Sequence, residues 1–137
     1  MRVIGFNFTK IDVEKFSEPK EGVKIQTTVD VTDIKEMKTD ILKSKDDLLE
    51  VKFSYGVKYE PKVAEIGIKG TILVSINPKE SKEVLKAWKK KEISEQFKFY
   101  VLNIVMRKSG LRAAILEDEF NLPLHVPMPS LRRPEKK

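Results

Sequence analysis

The sequence predicts an α+β domain built on one antiparallel sheet, on three observations. Apolar and polar residues alternate through most of the first half, the repeat turns helical at Asn77, and the chain closes on a proline-spaced apolar segment, NLPLHVPMPSLRRPEKK. Period two places alternate side chains on opposite faces of a strand, whereas a repeat near 3.6 lines one side of a helix. Strands followed by helices stack as two layers. The expected architecture is a four-stranded antiparallel meander covered by C-terminal helices, with an extended Pro-rich tail.

In the first strand Ile4, Phe6 and Phe8 fall on even positions, Ile11 and Val13 on odd ones, so one extra residue near Thr9 and Lys10 must restore the phase. A β-bulge is the device that does this. After a Pro-Lys-Glu-Gly turn, Val23, Ile25, Thr27, Val29 and Val31 come into phase and the pattern drifts at Ile34 and Met37. Residues 34–47 read equally as strand, loop or short helix. Leu49, Val51, Phe53, Tyr55, Val57 and Tyr59 share one parity of a long third strand; Ala64, Ile66, Ile68, Ile72, Val74 and Ile76 share one parity of the fourth. The intervening EPK supplies the turn of an antiparallel hairpin.

Asn77 is a good N-cap, Pro78 suits the first helical position, and Glu80 sets a carboxylate in the first turn, so NPKESKEVLKAWKKK begins a helix. A second helical stretch, EISEQFKFYVLNIVMRKSGLRAAILEDEF, aligns Ile93, Phe97, Val101, Ile104, Leu111 and Ile115 as the stripe expected to cover the sheet. A further apolar row, Phe99, Leu102 and Met106, extended by Gly110 and Ala113, exceeds what one sheet needs. It calls for another subunit, a bound apolar ligand, or coverage by the tail.

At 137 residues the chain fits a single domain over 1–137, with 121–131 as an extended apolar strap and 132–137 as a basic flexible tail. The absence of Cys removes disulfides, thiolate zinc sites and cysteine nucleophiles, and one histidine with no cysteine assembles no metal cluster; no cofactor is expected. No apolar run reaches the ~18 residues of a membrane span, and the N-terminus lacks the parts of a signal peptide, so the expectation is a soluble, cytoplasmic protein without membrane insertion. Charged residues make up 35% of the chain, a balance seen in heat-adapted proteins.

Catalytic constellations are thin. His125 has Glu117, Asp118 and Glu119 within reach in principle but no nucleophile, and the glycines at 56, 67 and 70 sit inside strands rather than in a phosphate loop. No enzyme is expected. A net charge of +6 permits contact with nucleic acid, for which Trp88, Lys89, Lys90 and Lys91, together with Arg132, Arg133, Lys136 and Lys137, are the candidates, without any accompanying nucleic-acid-binding motif.

The segments LLEVKFSYGVKYEPKVAEIGIKGTILVSI, QFKFYVLNIVMRKSGLRAAI and LPLHVPMPSL, in that order, resemble the SecB-like chaperone fold over roughly residues 3 to 131 and look closest to its small uncharacterised archaeal members. The resemblance implies a holdase that forms dimers or dimers of dimers and binds unfolded or partner polypeptides in apolar grooves. Its matching positions here are Phe99, Leu102 and Met106 of the long helix and Leu124, Val126 and Met128 of the tail. Bacterial export chaperones of this type are acidic and dock a motor through that surface; this chain is basic, so the resemblance does not extend to motor docking. Nucleic-acid association through the basic clusters is the alternative.

Overall fold

The computed structural model describes residues 1–38 and 45–127. Strands β1 (Arg2–Lys15), β2 (Lys24–Met37), β3 (Asp47–Glu60) and β4 (Ala64–Ile76) precede helices α1 (Pro78–Lys89) and α2 (Glu95–Glu119). The α+β class and the antiparallel sheet are as expected; the meander is corrected. The strand order is β1-β4-β3-β2, which places β1 beside β4 and not beside β2. The reason lies in burial: the core-facing side chains of β3 and β4 are almost all inaccessible, so these two strands must be central. With β1 on the outer edge of β2, β4 would be left at the rim of the sheet; pairing β1 with β4 instead covers it. The connection through 16–23 crosses the end of the sheet, a span of about 14 Å at ~4.8 Å per strand, well within the reach of eight residues.

One face of the sheet carries the core. Cross-strand rows such as Phe6–Ile72–Val51–Ile34 and Ile11–Ile68–Tyr55–Val29 run across all four strands in register. Three bulges keep them aligned. The expected one is present, as a register shift between Phe8 and Lys10, and a second lies between Val3 and Gly5. A third, between Val31 and Asp33, returns Ile34 to the core face, so the apparent drift in β2 is a bulge within a strand that continues to Met37. Of the undecided stretch 34–47, residues 39–44 lie outside the described residues.

Helix α1 starts as its sequence dictates: Asn77 has extended backbone and its side chain accepts the Glu80 N–H at 2.8 Å, with Pro78 following. Helix α2 departs from the expected stripe. Its buried residues are Phe97, Val101, Val105, Ser109, Gly110, Ala113, Leu116 and Glu117, whereas Leu111 and Ile115 are 63% and 50% exposed. The buried line advances by fours, from 97 to 117. Each such step overshoots a full turn by about 40°, so the line moves about 200° around the axis over the helix. Small residues at 109, 110 and 113 let the C-terminal half of the helix lie close to the sheet: a Cβ on Gly110 would be 3.5 Å from the Tyr55 hydroxyl. Gly110 and Ala113 thus belong to the inner face and not to the surplus outer row.

Candidate functional site

The chain leaves α2 through a turn encoded locally. Asn121 adopts φ 55°, its N–H donates to the Asp118 carbonyl, and the Leu122 N–H donates to the Glu117 carbonyl at 2.8 Å. This pairing is a Schellman turn with Asn in the left-handed position. It reverses the chain and drives Leu122 into the core. Residues 122–127 form neither helix nor strand and bend at His125 and Val126; the remainder of the expected strap, Met128 included, lies outside the described residues, as do Arg132 and Arg133.

Beneath the strap lies a cluster of four polar side chains. Glu117 is fully buried; its Oε1 accepts the backbone N–H of His125 at 3.0 Å and lies 2.7 Å from His125 Nδ1. His125 Nε2 lies 2.6 Å from the Tyr55 hydroxyl, and the Tyr59 hydroxyl donates to the Pro123 carbonyl. A single neutral arrangement satisfies the chain: Tyr55 O–H donates to Nε2, and Nδ1–H donates to the carboxylate. Tyr59 has one proton, drawn between Pro123 and the nearby Glu117; the Pro123 carbonyl takes it, leaving Glu117 Oε2 buried without a donor among the described residues.

His125 turns inward from the strap, its side chain 2% exposed. Of the acidic triplet at the end of α2, Asp118 and Glu119 are solvated while Glu117 is core. The sequence offers Glu117 as one of three carboxylates within reach of His125, and the structure selects it; Tyr55 and Tyr59 are the partners that the sequence does not announce. A signal existed: tyrosines on the buried parity of β3 require partners for their hydroxyls, and Glu117 is in phase with Val101, Val105 and Ala113.

Burial pushes the Tyr55 hydroxyl up from 10.0 to about 12, and the charge of Glu117 adds to the shift. Burial, then the hydrogen-bonding and charge of Glu117, raise Tyr59 as well. The unfolded chain loses the Tyr55 proton near pH 10 while the native state keeps it, so the contribution of Tyr55 to stability is intact below pH 10 and is lost as pH rises through about 12. Urea midpoints measured from pH 9 to 11.5 are expected to fall less in Tyr55→Phe than in the parent. An equal fall in both would contradict the assignment.

The outer row is split. Phe99 and Met106 are 68% and 49% exposed with residues 121–127 in place, while Leu102 is half-buried against the core. Leu102 instead shares a cleft of about 290 Å³ with Val29, Val31, Trp88, Ile93, Lys91 and Lys98, beside the free edge of β2. On the strap Leu124 is exposed and Val126 half-buried. Of the basic candidates, Lys89 and Lys90 are solvated. Trp88 is not an open stacking platform: its indole N–H donates to Asp33 at 3.2 Å, and Lys91 Nζ sits 4.7 Å from the ring centroid. The +6 charge is therefore not matched by a free aromatic at its densest cluster.

No helix among the described residues is long and apolar enough to cross a membrane. No protein-family model matches the chain, and no curated protein matches it by sequence. Among solved structures, the Mycobacterium tuberculosis Rv1957 SecB-like chaperone, in complex with a ChAD peptide from the Rv1956 HigA1 antitoxin, superposes with a TM-score of 0.52 at 11% identity, over 98% of this chain and 92% of that one. The identity is too low to transfer residue roles, but the likeness of fold extends over nearly all of both chains. This protein therefore has a SecB-like fold.

Proposed function

We propose that the protein is a non-catalytic holdase that binds apolar segments of unfolded or partner polypeptides, with Phe99 and Met106 as its exposed contact residues. The observation that carries this reading is their exposure on a helix whose inner face is already committed to the sheet and strap. A solvated Phe and Met on one side of a rigid helix offer apolar area to a guest, and methionine repacks around different shapes. The fold likeness to a chaperone bound to a peptide supports the same reading. Leu102 and the cleft beside Trp88 extend the surface toward the edge of β2, and Leu124 extends it on the strap. Self-association into dimers or dimers of dimers is part of the proposal, since the same exposed row serves a second copy equally well.

Wild-type protein at a stoichiometric amount is expected to suppress aggregation of a denatured test protein. Phe99→Ser with Met106→Ser is expected to weaken that suppression while changing stability by less than about 0.5 kcal/mol, because both side chains are solvated. Sedimentation of the same variant separates a guest surface, with unchanged mass, from a subunit interface, with reduced mass. Failure of the wild-type protein to suppress aggregation of any test protein overturns the reading. Nucleic-acid binding predicts association that weakens steeply with salt; its absence in a gel shift removes that alternative.

A further inference from the structure

We propose that the bed beneath the strap is itself a polypeptide-binding site, one that reads the backbone of an extended chain, and that residues 121–127 occupy it as an internal stand-in for a guest. The inference rests on the reading of the protein as polypeptide-binding and assigns that activity a second site. Two of the strap's contacts are made to its backbone: Tyr59 donates to the carbonyl of Pro123, and Glu117 accepts the N–H of His125. In an extended chain the C=O of one residue and the N–H of the residue two positions on face the same side. A rigid hydroxyl donor on β3 and a buried carboxylate acceptor on α2 therefore form a pair that any extended segment satisfies.

Side-chain burial contributes less to holding the strap. Leu122 is inserted, but Pro123, Leu124 and Pro127 are exposed. The one side chain the bed recognises beyond Leu122 is the imidazole, held between Tyr55 and Glu117. An independent feature marks the bed as under-used: Glu117 Oε2 is buried without a donor among the described residues while the strap is in place. The guest that fits is an extended, apolar, proline-bearing segment with a hydrogen-bond-donating side chain two residues after the carbonyl that Tyr59 reads. Such a guest competes with the strap and can supply the donor the strap leaves missing.

The probe is a labelled peptide LPLHVP, the sequence of residues 122–127, acetylated and amidated, titrated onto full-length protein. His125→Ala, whose own strap has lost its imidazole contacts, is expected to bind it about tenfold more tightly than wild type, because less of the site is occupied in cis. Adding Tyr59→Phe is expected to abolish that gain. Methylating the backbone nitrogen of the peptide's histidine, which removes the hydrogen that Glu117 accepts, is expected to do the same. Equal binding by wild type and a folded His125→Ala, or undiminished binding of the methylated peptide, overturns the proposal. If His125→Ala does not fold, the wild-type protein decides: hydrogen exchange at the Leu124, His125 and Val126 amides is expected to accelerate in a complex with an unfolded client, and unchanged exchange in that complex overturns the site. Failure of the holdase reading looks different, since then no variant suppresses aggregation, and the peptide titration still decides the strap site.

Discussion

Gly70→Ala is expected to destabilise the protein by about 3 kcal/mol, at the upper end of what overpacking a core usually costs. A Cβ at Gly70 would lie 2.5 Å from Phe53 Cζ and closer still to the Asn7 carbonyl oxygen. Neither neighbour has room to retreat. Phe53 is almost wholly buried, with its ring centroid 5.2 Å from that of Phe6, and Asn7 belongs to the paired part of β1 next to the bulge at Thr9. Glycine here allows the ring of Phe53, its cross-strand partner, to lie across β4. Gly67 supplies the control: a Cβ there meets nothing within 4 Å, and Gly67→Ala is expected to be neutral or to stabilise by a few tenths of a kcal/mol through lost chain entropy. Urea unfolding of the two variants checks the contrast, and indistinguishable midpoints would refute the packing described.

The second large effect is expected at the Glu117–His125 pair. Removing one member of a buried ion pair or strong hydrogen bond usually costs about 3–5 kcal/mol, because the remaining group is left without a partner away from water. Glu117→Leu leaves the imidazole and the His125 N–H without their acceptor. His125→Ala leaves the carboxylate holding only a backbone donor, and its cost is expected to be the smaller of the two, about 2 kcal/mol, since the strap can lift and admit water. The double variant Glu117→Leu with His125→Ala should cost less than the sum of the two single changes by more than about 1 kcal/mol. A double-mutant cycle by chemical denaturation measures this directly. Strict additivity would mean that the pair seen beneath the strap contributes nothing as a pair.

These two sites differ in how far the sequence announces them. The alternation around Gly70 makes it a strand residue, yet nothing local indicates that Phe53 crosses it, because that contact joins two strands in register. His125 is more instructive. Among three prolines and with charged neighbours close by, it reads as a solvated residue on an apolar strap. Its burial follows from the Schellman turn at Asn121, which fixes where the strap begins, and from Tyr55, which lies 70 residues earlier and supplies the partner. The basic run after Trp88 misleads in the opposite direction. Lysine density reads as a nucleic-acid contact, while the indole is already engaged by Asp33 of β2 and by Lys91 of its own segment.

What the sequence by itself determined is everything governed by neighbours a few residues apart. Strand period in β3 and β4, the bulge near Thr9, the Asn77–Pro78 helix start and the extended character of the prolines all follow from local sterics and short-range hydrogen bonding. The tertiary structure alone decided which edge receives β1, which side of α2 turns inward along its length, and what His125 touches. Each of these is a choice between placements that are locally equivalent. A strand presents the same ladder to either edge, a helix with apolar residues around much of its girth has no single preferred face, and an imidazole takes whatever acceptor is brought to it. The choice is made by burial and polar satisfaction summed over residues distant in the chain. The exposed Phe99 and Met106, and the strap lying over its polar bed, are the products of that sum.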